Sequence, residues 1–250
     1  MLLIFPVYDR IQLLPYFLKY YSSIGASRFV CGLHDGERNP LYNEIAAFCS
    51  RYNIAIRTSV DSTFGPFNPA SEASGLNAIR EEFLPYNSWY AIADLDEFHY
   101  FRGKSLLEIA QQAESRHCDA VHGVFFDRIA ADGTFPKIDG TLDDTFPLAC
   151  DLTRCFGGCC QKIVLARNHV KISSGHHRAK GKIWRDGAQV HHFKWHHGIQ
   201  DVIKDRHQRF KQQGLRWAAR ELPLTEKLIA KRINLQDPRL HLRKAGKLWV

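Results

Sequence analysis

Residues 2–7 form a continuous apolar run, Leu-Leu-Ile-Phe-Pro-Val, which predicts a buried strand ending before Tyr8 and Asp9. The next segment changes period. Leu14, Phe17, Leu18 and Tyr21 recur at three- and four-residue intervals, predicting a helix over 13–24 that Gly25 closes. The alternation continues with a strand at 28–33, a helix at 41–52 that puts Ile45, Phe48 and Cys49 on one face, and a strand at 54–60. Residues 65–69, rich in Gly, Pro and Asn, predict a loop. A helix over 70–83 and a fourth strand over 89–93 then lead into Asp94-Leu95-Asp96-Glu97.

Strands and helices that alternate over short connections imply parallel crossovers, hence a three-layer α/β fold. Ligands of such sheets bind beyond the carboxyl ends of the strands. That places Tyr8, Asp9, Asp35, Asp61 and Asp94–Glu97 on one rim. Asp35 and Asp61 also suit plain turn positions, where aspartate is favoured whatever the function. After a helix at 106–115 the pattern turns β-rich, with strands at 120–127, 163–166 and 190–195 and a turn at Asp132-Gly133. Amphipathic spacing returns at 199–213, and a second helix is expected near 224–233. No repeat or linker interrupts the chain. One domain over 1–250 is expected, with a first half at 1–118, a second at 119–215 and a basic helical tail at 216–250.

Composition supports a folded protein of 250 residues with 45% hydrophobic and 24% charged positions, which excludes disordered and fibrous classes. No apolar stretch approaches the roughly 20 residues of a membrane-spanning helix. The initial apolar run lacks a basic leader and a small-residue cleavage site, so it reads as a strand rather than a secretory signal. Seven cysteines show no disulfide-scaffold spacing, which suits reduced thiols in a cytosolic protein. A zinc knuckle from Cys155, Cys159 and His169 lacks the paired C-x-x-C grid that would support it.

Charge adds an asymmetry. Residues 1–150 hold 12 Lys+Arg against 19 Asp+Glu, a net −7, whereas 151–250 hold 22 against 7, a net +15, together with nine of the 13 histidines. A basic second part suits an anionic partner such as a sugar nucleotide, a nucleic acid or an anionic membrane. The acidic run at the end of the fourth strand carries the sharper signal. Carboxylates at alternate positions share a face, and their mutual repulsion calls for a cation. Mg²⁺ or Mn²⁺ with oxygen ligands would meet that need and bridge phosphate oxygens of a ligand.

Several segments together resemble the family-2-type glycosyltransferases of the GT-A nucleotide-sugar fold, in the branch whose metal motif reads D-x-D-E-F. They are Pro6, 14–21 (Leu-Pro-Tyr-Phe-Leu-Lys-Tyr-Tyr) and Gly25; Trp89 with Ala93-Asp94-Leu95-Asp96-Glu97-Phe98; 123–133; Ser174-Gly175-His176-His177; and His191-His192-Phe193-Lys194-Trp195. The likeness spans about 1–215 and leaves the tail unmatched. It departs where many relatives carry Asn-Glu after the first strand, since this chain has Tyr8-Asp9.

The resemblance implies a three-layer Rossmann-like mixed sheet with a more irregular, basic carboxyl-terminal part. It also implies transfer of a sugar from a nucleoside-diphosphate donor, UDP-sugar favoured, to a glycan or lipid-linked hydroxyl acceptor, with inversion. Asp35 and Asp61 would face the base or ribose; Asp94 and Asp96 would hold the metal and diphosphate. His192 would ligate the metal as a neutral imidazole or contact phosphate as a cation, and Lys194 would neutralise phosphate. His176 and His177 are further candidates, whereas His196 and His197 read as surface residues. Inversion needs a base for the acceptor proton, for which Asp127 is the first candidate and Glu97 the second.

Two other classes compete. A basic nucleic-acid-binding module would use the +15 half but leaves the acidic rim unexplained, and no nucleic acid partner is expected. A metal-dependent phosphodiesterase would use the same carboxylates but calls for more His/Asp ligand motifs. The expected location is cytosolic, with peripheral contact to the inner membrane surface as a further expectation. For that contact Arg239, Arg243, Lys244 and Lys247 would meet headgroups beside Leu240, Leu242, Leu248 and Trp249. The alternative is that this tail packs back on the domain.

Overall fold

The first apolar run forms β1 (Leu2–Val7), buried on both faces because both are covered. A computed structural model describes residues 1–8, 11–64, 69–212, 214 and 232–248. Asp9, positions 65–68 of the expected loop, residue 213 at the end of one expected helix, most of the helix near 224–233, and Trp249 lie outside the described residues.

The chain divides into two compact units, one of 1–124 with 161–190 and one of 125–160 with 191–250. In the first, β1 pairs in parallel with β2 (Arg28–His34) and β4 (Trp89–Ile92), and β2 pairs in parallel with β3 (Ala55–Val60). The order β3-β2-β1-β4 reverses direction at β1/β4. Beyond β4 the sheet becomes antiparallel, through β8 (Gln161–Arg167) and then the first part of β6 (Ala120–Ile129). β5 (Glu97–Tyr100) pairs with β9 (Ile183–His192).

Period-two alternation makes three layers. Leu2 and Ile4 pack in one apolar cluster with Leu76 and Ile79 of α3 (Pro69–Phe83). Phe5, of opposite parity, meets Phe17 of α1 (Leu14–Ser23) with ring centroids 5.2 Å apart, and Phe17 reaches Phe98 of β5 at 6.1 Å. The expected Rossmann-like mixed α/β fold is therefore present. The helix α1 carries Pro15 in its first turn and stops where Gly25 takes φ +99°. α2 (Tyr42–Arg51) packs near β3. α3 lies so close to β3 that a Cβ on Gly75 would sit 1.8 Å from the Ser59 carbonyl oxygen. α4 (Leu106–Ser115) opens on a Ser105–Glu108 capping box.

The second unit holds the end of β6, paired antiparallel with β7 (Leu148–Cys150), which in turn pairs with β10 (Arg243–Lys244). Two one-turn helices, α5 (Leu142–Thr145) and α6 (Leu152–Cys155), the longer α7 (Ile199–Gln212) and a 3₁₀ turn at Pro238–Leu240 also lie there. Its core includes Ile129, Leu152, Trp195, Ile199, Ile203 and Leu240.

β5 begins at Glu97, so the acidic run is a turn between two strands. One strand boundary and one burial differ from the sequence pattern. The strand expected over 190–195 runs over 183–192 and leaves Trp195 outside it. His196, expected on the surface, is buried.

Candidate functional site

Asp94, Leu95 and Asp96 form the link between β4 and β5, at the carboxyl end of the parallel strands. The Glu97 N–H donates to the Asp94 carbonyl at 2.9 Å, closing the turn. Two tyrosines of α1 fasten the strand that follows. Tyr21 Oη donates to the Glu97 carbonyl at 2.9 Å and accepts from the His99 N–H at 3.2 Å, and Tyr20 Oη donates to the His99 carbonyl at 2.8 Å. The spacing of Tyr20 and Tyr21 on α1 thus fixes where the acidic turn sits.

Lys162 of β8 points into this turn with 4% of its surface exposed. Its Nζ lies 2.7 Å from Asp94 Oδ2 and 2.8 Å from Glu97 Oε1. Burial alone would push the ammonium toward neutrality, but the Asp94 and Glu97 charges outweigh it and hold the lysine protonated well above its ordinary range. Burial pushes the Asp94 carboxyl up, and Lys162 pulls it down further, so its pKa falls below the usual value. Asp96 and Glu97 offer carboxylate oxygens within 4.8 Å of one another, close enough to share a divalent cation.

Glu72, His176 and His99 border the turn, and of these the sequence singled out only His176. Glu72, in the first turn of α3, has its pKa raised to about 7 by burial and by the Asp94 charge. His176 sits at φ +56° after Gly175 at φ +62°, and its Nδ1 faces Asp94 Oδ1 at 3.6 Å. Burial lowers the His176 pKa to about 4, and its ring nitrogens have no hydrogen-bond partner among the described residues. His99 is neutral for the same reason, its pKa lowered to about 3 by burial and by Lys162. No helical or strand periodicity marks these residues. Of the pair considered at 176–177, His177 Nδ1 donates to the Gln161 carbonyl at 2.7 Å.

Asp35 and Asp61 lie further along the same rim and are both tied into turns. Asp35, in the left-handed region at φ +60°, accepts from the Ser62 N–H at 2.7 Å. Asp61 Oδ1 accepts from the Thr63 N–H at 2.9 Å and pairs with Arg38, whose guanidinium also lies 3.8 Å from Asp35. Tyr8, 41% exposed, packs its ring edgewise on His34 at 4.6 Å.

In the second unit, Asp127 is 1% exposed. Its Oδ1 accepts from Thr153 Oγ1 at 2.7 Å and Trp195 Nε1 at 2.9 Å, and lies 2.8 Å from His192 Nδ1; its Oδ2 accepts from the Thr153 N–H at 2.6 Å. Burial pushes the Asp127 carboxyl up, and the His192 contact and other hydrogen bonds more than reverse that. Three of the four donors converge on Oδ1, and one reaches Oδ2. His192 is further packed against the Phe125 ring at 4.8 Å. Arg128 beside it is buried and donates to Asp143 at 2.8 Å and to the Phe146 carbonyl at 2.9 Å. Lys194 holds its Nζ 5.2 Å from the Trp195 ring centroid.

The tail contributes to this unit's core. Leu240 and Leu248 are buried, β10 continues the β7 ladder, and the Leu248 N–H donates to Asp143 at 2.8 Å. Those leucines face protein, as in the packed alternative, while Leu242 is exposed. Among the described residues no helix is long and apolar enough to cross a membrane.

No family model matches the chain, and no curated protein sequence matches it. Two solved structures resemble it distantly. HddC from Yersinia pseudotuberculosis is 9% identical, covering 76% of this chain and 92% of its own with a TM-score of 0.38. A nucleoside-diphosphate-sugar pyrophosphorylase from Vibrio cholerae RC9 is 12% identical, covering 56% of this chain and 62% of its own with a TM-score of 0.31. At those scores neither likeness bears on chemistry, which has to be argued from the residues of the site.

Proposed function

We propose that this protein is a metal-dependent glycosyltransferase, moving a sugar from a nucleoside-diphosphate donor to a hydroxyl acceptor. One observation carries the reading: the Asp94–Glu97 turn closes the carboxyl end of β4, next to the point where strand order reverses at β1/β4. Open α/β sheets bind nucleotides in the crevice at such a reversal. Carboxylates there suit a divalent ion, Mn²⁺ or Mg²⁺, whose chemistry when bound is to neutralise the departing diphosphate.

The chain's own residues have distinct tasks in this reading. Asp96 with Glu97 would hold the ion. Asp35 and Asp61, fixed in their turns, would meet the base and ribose of the donor, UDP-sugar favoured. Lys194 would meet phosphate, and His177 would line the donor site. Asp127 holds the His192 ring through Nδ1, so a metal or phosphate role of His192 would fall to Nε2. The base role expected of Asp127 or Glu97 would fall to a carboxylate already engaged, Asp127 by Thr153, Trp195 and His192 and Glu97 by Lys162. The acceptor is a glycan or lipid-linked hydroxyl, and the transfer inverts the anomeric centre.

Thermal unfolding with UDP and Mn²⁺, each alone and together, tests the reading, followed by a screen of nucleotide sugars for release of nucleoside diphosphate. The pair together should raise the melting temperature more than either alone. Stabilisation by an oligonucleotide, with none by UDP and Mn²⁺, would sink it.

A further inference from the structure

Clustered carboxylates call for a cation, and the fold supplies one from its own chain. Lys162 stands 68 residues from Asp94 in sequence, yet its buried ammonium bridges Asp94 Oδ2 at 2.7 Å and Glu97 Oε1 at 2.8 Å. The other Asp94 oxygen faces the buried His176 ring at 3.6 Å. Both oxygens of the first aspartate in the D-x-D motif are therefore turned toward protein groups. A divalent ion on Asp94 Oδ2 or on Glu97 Oε1 would have to displace the ammonium or lie against it, and like charges at that range repel strongly, so Glu97 would serve the ion only through Oε2.

We propose that Lys162 is the resident counter-ion of the Asp94–Glu97 pair and that Asp94 is a partner of this lysine rather than a ligand of the divalent ion. Three carboxylates and one ammonium leave a formal charge of −2, which a single divalent cation balances. Asp94 and Lys162 are then positioning residues that fix the turn, and Asp96 is the aspartate on which cation binding depends. That last point rests on the metal reading proposed above. The lysine pairing does not.

The test measures Mn²⁺ binding by electron paramagnetic resonance and melting temperature in EDTA, on the full chain. Asp96→Asn should weaken Mn²⁺ binding by roughly 30-fold or more, while Asp94→Asn should keep it within about threefold and melt about 10 °C lower. Equal loss of Mn²⁺ binding in the two variants would overturn the proposal. If wild-type protein binds no Mn²⁺, the metal reading fails, and the lysine pairing is judged on stability. Lys162→Met should then lower the melting temperature, and adding Asp94→Asn should cost less than the two single losses combined. Strict additivity would refute the pairing. Should Lys162→Met not fold, nitrogen-15 NMR of the wild-type lysine ammoniums decides. Burial and two acceptors should give Lys162 a slowly exchanging signal at pH 6 that Asp94→Asn displaces, and an Nζ signal like those of surface lysines would overturn the pairing.

Discussion

Replacing Asp127 with alanine should be among the most damaging substitutions in the second unit. The carboxylate is buried and engages the Thr153 N–H and Oγ1, the Trp195 indole N–H and the His192 imidazole. The Thr153 hydroxyl can rotate to another acceptor, but the backbone N–H, the indole and the imidazole keep their directions. Each buried donor left unmet costs about 1–3 kcal/mol, so three of them cost roughly 3–6 kcal/mol after some relief by entering water. For a chain of this size that lowers the melting temperature by about 10–20 °C. Asp127→Asn keeps the shape and one oxygen but turns an NH₂ toward a donor, so about 2 kcal/mol is expected. Circular dichroism of thermal and urea unfolding in EDTA measures both. A shift below about 3 °C for Asp127→Ala would refute the claim that this carboxylate organises the unit. Kinetics add a second reading. A positioning role predicts that Asp127→Asn raises the Mn²⁺ half-saturation about 10- to 100-fold, whereas a base role predicts a roughly 10²-fold loss of turnover at unchanged metal and donor affinity.

Three further outcomes follow from the packing. Gly75→Ala should destabilise by several kcal/mol, because the new methyl would collide with the Ser59 carbonyl and push α3 off β3; chemical denaturation checks it. Tyr21→Phe should cost about 1–2 kcal/mol, since the Glu97 carbonyl and His99 N–H both lose their hydroxyl partner, and hydrogen exchange at His99 should quicken. Truncation after Pro238 removes buried Leu240 and Leu248 and should cost about 2 kcal/mol or more for each, with no change in binding to anionic vesicles; unequal partition onto those vesicles would restore the membrane reading of the tail.

Local pattern determined most of the first hundred residues. The runs at β1 and β2 are apolar because both faces of a central parallel strand are covered, and α1 and α2 show their buried stripe in three- and four-residue steps. The acidic turn was legible as well, because Asp94, Asp96 and Glu97 are neighbours in the chain. What surrounds that turn was not. Lys162 lies on a strand that pairs antiparallel with β4, and a lone lysine between Gln161 and Ile163 looks like any solvated strand end until register places its ammonium against two carboxylates. His176 and Glu72 come from a short helical turn and a helix start far away in sequence. Asp127 was legible as a strand carboxylate, but its four donors come from Thr153 in one distant segment and from His192 and Trp195 in another. Sequence periodicity records which face of an element is buried. Partners and protonation states depend on distances across the sheet, and only strand order and register set those.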